Sequence, residues 1–137
     1  PPKYLYATAN TAGQGDASGL YAGTQVLNQA QLHRWPVVTE LGYLPAEQET
    51  AIPRAMVPAL EAATMVSLAG LCRNAHHQGD PASPFSLRTL IAWGEKQILL
   101  DDLAESFRLA FLNRCDDSER PLVAESYQRC LAQELRA

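Results

Sequence analysis

Apolar and aromatic side chains fill residues 4–9, Tyr4-Leu5-Tyr6-Ala7-Thr8-Ala9, almost without interruption, and the run stops at Asn10. Such a run predicts a mostly buried strand. Residues 11–19 carry three glycines among small polar residues and predict a loop. Thr24 is placed to cap a helix running through Val26, Leu27, Ala30 and Leu32 to about Arg34, and Pro36 excludes helical backbone at Trp35. Val37-Val38-Thr39-Glu40-Leu41 predicts a second strand, closed by Gly42 and Pro45. Strand, helix, strand in that order suggests one edge of a parallel α/β sheet.

After Pro45 the spacing of apolar residues turns helical. Residues 47–52 predict a short helix, and residues 57–75 a longer one with Leu60, Thr64, Leu68 and Leu71 on one face. A turn-rich stretch follows at residues 76–84. Ser86 then caps a helix with Leu87, Leu90, Ile91 and Ile98 along its buried side. Asp101-Asp102 opens another, with Leu103, Phe107, Ala110 and Phe111 at helical spacing and acids at its positive end. Asp117-Ser118-Glu119-Arg120-Pro121 begins a last helix carrying Leu122, Val123, Tyr127, Cys130 and Leu131. The expected fold is an α/β remnant over residues 1–45 followed by an all-α helical bundle over residues 46–137, mostly α overall.

A chain of 137 residues with 47% hydrophobic content is long enough for one ordinary domain, or for a small domain joined to a piece of another. The net charge of −4 gives no excess of Lys and Arg to neutralise a nucleic-acid backbone. The most apolar stretch, residues 55–72, contains Pro58 and Glu61 and is too weak for a membrane span, and Pro1-Pro2-Lys3 does not resemble a signal peptide. Cys72, Cys115 and Cys130 form no Cys-x-x-Cys pair and read as reduced thiols of a cytoplasmic protein.

Chemistry-bearing residues are few. Gly13-x-Gly15-x-x-x-Gly19 departs from a dinucleotide fingerprint, whose third glycine would fall at Ser18, so a flexible or partner-contacting loop is the better reading. A Gly-x-x-x-x-Gly-Lys-Ser/Thr loop is absent, because Lys3 and Lys96, the two lysines, follow no such glycines. Asn10 ends the first strand, where its amide either orients a water or simply serves a turn. Arg34, at a helix end, either complements the helix dipole or reaches a neighbouring subunit's phosphate as an arginine finger. Arg88 sits in the first turn after Ser86, the unfavourable end for a cation, which points to an anionic partner or to a solvated arginine. Cys72 and His76, four residues apart, with His77, fall short of the three or four convergent ligands a metal site needs, and read as a buried thiol beside loop histidines. Trp35 and Trp93 read as core.

Several of these segments together resemble one family. Residues Tyr6-Ala7-Thr8-Ala9-Asn10-Thr11, Gly13-Gln14-Gly15-Asp16, Gly19-Leu20-Tyr21-x-Gly23-Thr24-Gln25 and Asn28-Gln29-Ala30-Gln31-Leu32-x-Arg34-Trp35 are similar to the sensor-1 to arginine-finger region of the AAA+ subunit of aerobic cobaltochelatases. That group stands with the magnesium chelatase and MoxR-like ATPases. Ser86-x-Arg88-Thr89 resembles its sensor 2, and Phe111-Leu112-Asn113-x-Cys115-Asp116 with Leu122-Val123-Ala124-Glu125 resembles its terminal helices. His33 stands where family members commonly carry an acidic residue.

The resemblance implies that residues 1–45 are the end of a AAA+ core and residues 46–137 its helical lid. It also implies Asn10 as sensor 1, Arg34 as the finger acting in trans and Arg88 as sensor 2 on the nucleotide. ATP and Mg2+ would be cofactors of the complete protein, with none held tightly by this chain alone. Partners would be further copies in a hexameric ring that couples ATP hydrolysis to cobalt insertion into a corrin ring by the separate large cobaltochelatase subunit, together with a second accessory subunit, with no nucleic acid and no membrane. Because both Walker motifs are missing, this chain is expected to be inactive alone. A MoxR-like chaperone that remodels a metalloprotein, and a non-catalytic helical interaction module, are the alternative readings.

Overall fold

The computed structural model describes residues 3–16, 21, 23–77, 83–132 and 135, and its contacts divide the chain into two units, Pro1–Leu41 and Gly42–Ala137. In the first unit one short helix forms, α1 (Gln29–Leu32). It begins four residues later than the Thr24 cap predicts. Asn28 takes the cap instead: its side chain accepts the Gln31 N–H at 2.9 Å, while Gln31 Oε1 accepts the Asn28 N–H at 3.2 Å. Upstream of this box the backbone leaves the helical path, since the Leu27 N–H donates to the Gly13 carbonyl at 2.8 Å.

The two predicted strands do not form: among the described residues there is no β-strand at all. Residues 4–9 and 37–41 are locally extended or irregular, and Tyr4, Leu5, Tyr6, Val37, Val38 and Leu41 are exposed. The reason is that a strand exists only as one side of a hydrogen-bonded ladder about 4.8 Å wide, and neither run lies against a partner. Local composition was therefore strand-like where the ladder was lacking.

The second unit is helical, with α2 (Ala46–Thr50), a 3₁₀ turn (Pro53–Ala55), α3 (Ala59–His77), α4 (Leu87–Leu100), α5 (Leu103–Ala110), a second 3₁₀ turn (Leu112–Arg114) and α6 (Arg120–Leu131). Three of the starts, those of α4, α5 and α6, have a local cause. Ser86 Oγ accepts the Thr89 N–H at 3.2 Å at the head of α4, Asp102 Oδ1 accepts the N–H groups of Ala104 and Glu105 at the head of α5, and Pro121 lies in the first turn of α6. Asp101, in the left-handed conformation with φ 51°, stops α4 and turns the chain directly into α5.

Five aromatic rings form the centre of the unit: Phe85, Trp93, Phe107, Phe111 and Tyr127, all buried, with neighbouring centroids 4.7 to 6.5 Å apart. Trp93 also donates its indole N–H to the Leu103 carbonyl at 3.1 Å, joining α4 to the start of α5. Gly94 lets α4 approach the Pro53–Ala55 turn, because a Cβ there would meet Met56 Cε at 2.9 Å. Trp93 is thus core as read from the sequence, whereas Trp35 in the first unit is half-buried.

Helix α3 packs a face other than the predicted one. Leu60 is 82% exposed and Leu71 40%, while Ala62, Met65, Val66, Ala69, Cys72 and Arg73 are buried on roughly the opposite side. Leu68 sits at the margin and is fully buried. The small side chains of Ala62 and Ala69 allow neighbouring elements to come close, and the Thr64 and Ser67 hydroxyls return to the carbonyls of Leu60 and Ala63 on the outer side. In α4, Ile98 is likewise exposed rather than buried, along with Leu99 and Leu100.

The face assignment makes a direct prediction: Leu68→Ala lowers the unfolding free energy by about 3 kcal/mol in urea titrations. Leu60→Ala changes it by less than about 0.5 kcal/mol. Equal losses at both positions would mean that α3 packs the other way round.

Candidate functional site

The best-built constellation in the chain surrounds the segment that leads into α4. Arg73, on α3, is 7% exposed, and Glu49, on α2, is 1% exposed. Their side chains meet in a two-pronged ion pair, NH1 to Oε2 and NH2 to Oε1, both at 2.7 Å. The remaining guanidinium donor, Nε, bonds the Phe85 carbonyl at 2.8 Å. The ring of Tyr43 covers the guanidinium, with its centroid 3.8 Å from Cζ. A buried charge of this kind is tolerated because its partners are complete, and removing one partner typically costs about 3 to 5 kcal/mol.

From the other side, Glu119, also buried, accepts the Ser83 hydroxyl at 2.9 Å and the Asp116 N–H at 3.2 Å through Oε2. Residues 83–86 are therefore held at Ser83 by the start of α6 and at Phe85 by α3. Immediately beyond, the Ser86 cap closes and Arg88 follows in the first turn of α4. Arg88 is exposed and has no ion-pair partner among the described residues. Its positive charge lies at the end of the helix where unbonded N–H groups already favour an anion, a cost of ~0.3–1 kcal/mol that a bound anion reverses.

In the first unit Asn10 and Arg34 are both exposed. Arg34 follows His33, the C-cap of α1, and its backbone N–H bonds the Gln31 carbonyl at 3.2 Å. The glycine loop is partly fixed rather than free: Gly13 is buried at φ 78°, and a Cβ there would lie 2.8 Å from Leu32 Cδ2 and 3.0 Å from Leu27 Cδ1. Gly13 thereby seats the chain after Asn10 against the helix that precedes Arg34. The rest of the glycine motif, Ser18, Gly19 and Leu20, lies outside the described residues, as do residues 78–82. No hydrogen bond joins Asn10 to Arg34 among the described residues, and Arg88 belongs to the other unit.

Cys72 is buried at 3% exposure, and among the described residues no group of three or more His, Cys, Asp or Glu side chains could hold a metal ion. Burial pushes the Cys72 thiol up to about 12 and the Cys115 thiol up to about 11, from an ordinary value of 9.0. Cys130, half-buried, is raised by the same cause. Tyr127 is pushed up to about 12 by burial, its hydroxyl having no hydrogen-bond partner in the core. No helix among the described residues is long and apolar enough to cross a membrane.

Sequence reasoning missed Tyr43, Glu49, Arg73 and Glu119. A signal for Arg73 was present: it falls in register with Met65, Val66, Ala69 and Cys72, so a charge on that apolar face demanded a buried partner. Nothing local identified Glu49, 24 residues away, as that partner.

Comparison with known proteins gives one informative relative. The chain is similar to the aerobic cobaltochelatase subunit CobS of Sinorhizobium sp, 47% identical over 143 aligned residues, which cover 99% of this chain and 43% of that protein. The matched part is the C-terminal part of a AAA+ protein, and the chain spans less than half of its length. No family model matches the chain, and no solved structure matches it. The resemblance read from the sequence motifs is thus found across the chain.

The thiols carry a measurable consequence. A folded-state value raised above 9.0 means that folding favours the protonated thiol, so this contribution to stability is present below about pH 9 and is lost as pH rises toward 11 to 12. With a thiol-specific reagent at pH 8, Cys130 is expected to react first and Cys72 last, at a rate limited by opening of the fold. Labelling of Cys72 as fast as Cys130 would contradict the burial described here.

Proposed function

We propose, starting from the likeness to the C-terminal part of the AAA+ cobaltochelatase subunit, that this chain is the sensor and arginine-finger portion of an ATPase motor driving cobalt insertion into a corrin ring. ATP with Mg2+ supplies a phosphoryl group for transfer to water, and cobalt is the cargo. Among this chain's residues, Asn10 orients the attacking water through its side-chain amide. Arg34 reaches a neighbouring copy in the ring and offsets charge that develops on the transferred group. Arg88, on the helical lid, binds the phosphate chain of its own protomer's nucleotide. The phosphate cradle and the acidic metal-binding residues belong to Walker motifs outside this sequence, so the chain alone does not turn over ATP. Residues 4–9 and 37–41 become strands when the remainder of the core sheet gives them ladder partners. The large cobaltochelatase subunit and a further accessory subunit are the partners this reading requires.

The observation that carries the proposal is Arg88: an exposed guanidinium with no ion-pair partner among the described residues, in the first turn of a helix whose cap is firmly held. An anion at that position gains from the charge, from the helix N–H groups and from the dipole together. The exposed setting of Asn10 and Arg34 agrees with groups that act on a partner beyond their own unit.

The test is ATP turnover by a protomer in which this chain is joined to a Walker-containing AAA+ segment. The chain alone is expected to give none and the joined protomer to be active. There, Arg34→Ala lowers kcat by on the order of 10³ or more, and Arg88→Ala raises KM for ATP. An active protomer that is indifferent to both substitutions overturns the reading.

A further inference from the structure

Among the described residues, Arg73 bonds the first residues of the helical unit to the segment that leads to Arg88. The structure places three sequence-distant pieces on its side chain. Tyr43 lies two residues past Leu41, where the first unit ends, and stacks on the guanidinium. Glu49, on α2, takes the two terminal nitrogens. The Phe85 carbonyl, one residue before the Ser86 cap of α4, takes Nε. Phe85 is also a core ring, 4.7 Å from Phe111, so the carbonyl that Arg73 holds belongs to a residue that is itself fixed.

We infer that Arg73 is a positioning residue for Arg88: the Tyr43–Arg73–Glu49 cluster ties the first residues of the helical unit to the loop that sets the start of α4. The placement of the phosphate-binding arginine thereby depends on that cluster. The inference rests on the reading of Arg88 as a phosphate ligand. The chemistry of the cluster suits the task. A guanidinium has five donors in a fixed plane, so it bonds a carboxylate along one edge and a carbonyl along another while its face is covered by a ring. Lysine keeps the charge but has neither the second edge nor the planar face. Glu119 holds the same loop at Ser83 and, among the described residues, has no hydrogen bond to Tyr43 or α2, so it anchors the loop independently of that cluster.

The experiment has two readouts. In this chain, Arg73→Lys is expected to speed amide hydrogen exchange at Thr89 and Leu90, the N–H groups bonded to Ser86, by about tenfold, and to leave Phe111 at the end of α5 unchanged. Tyr43→Ala, at an exposed residue whose loss leaves the Glu49 and Phe85 bonds in place, is expected to give about threefold at the same amides. In the protomer joined to a Walker-containing segment, Arg73→Lys raises KM for ATP with little change in kcat. The double variant with Arg88→Ala is no worse than Arg88→Ala alone, because the first residue acts only through the second. Unchanged exchange at Thr89 and Leu90 in both variants, or effects of Arg73 and Arg88 on KM that add, overturns the positioning role while leaving Arg88 as a ligand. An Arg88→Ala protomer with normal KM overturns the ligand reading itself, and the inference with it.

Discussion

Arg73 is a full positive charge inside a helical unit, and the fold around it gives each of its three nitrogens an acceptor. Glu49 takes one edge of the guanidinium, the Phe85 carbonyl takes another, and Tyr43 closes the face. An ion pair of this sort adds little over a well-packed apolar cluster of similar volume, but a broken one is expensive. Its effect is specificity: α2 and the residues before α4 have one place to go, because any other leaves a charge unpaired. The aromatic centre of Phe85, Trp93, Phe107, Phe111 and Tyr127 provides the non-directional part of the stability, and Phe85 belongs to both systems.

This arrangement gives the second unit a rigid rim where α4 begins. A helix N-terminus held by a serine cap, a buried ion pair on one side and Glu119 on the other carries an arginine without an ion-pair partner among the described residues. The first unit is organised by a different device, the capping box of α1 and the buried Gly13 packed on Leu32, with its apolar runs left exposed. Exposed apolar surface of that kind is available to pair with or pack against another segment.

Much of the helical unit was legible in the sequence because its starts are local chemistry: Ser86, Asp102 and Pro121 mark helix beginnings whatever surrounds them. The faces were less legible. In α3 the leucines at Leu60 and Leu71 mark the wrong side, since packing chose the face where Ala62 and Ala69 permit close approach and where Arg73 meets Glu49. The strands expected over residues 4–9 and 37–41 are absent from this structure for a related reason, as composition reports what a segment prefers when paired and not whether a partner is present. Of the candidate site, the motif residues Asn10, Arg34 and Arg88 could be picked out by resemblance, but the cluster that supports Arg88 could not. Its members lie 24 and 12 residues apart along the chain, and long-range pairing leaves no periodic trace.

The most direct test of the account is a nucleotide-bound structure of this chain joined to a Walker-containing AAA+ segment. The account predicts the Arg88 guanidinium within hydrogen-bonding distance of a phosphate oxygen, with Arg73 still bridging Glu49 and the Phe85 carbonyl behind it. A nucleotide-bound structure in which Arg88 points into solvent, or in which the Arg73 bridge is open, would contradict it.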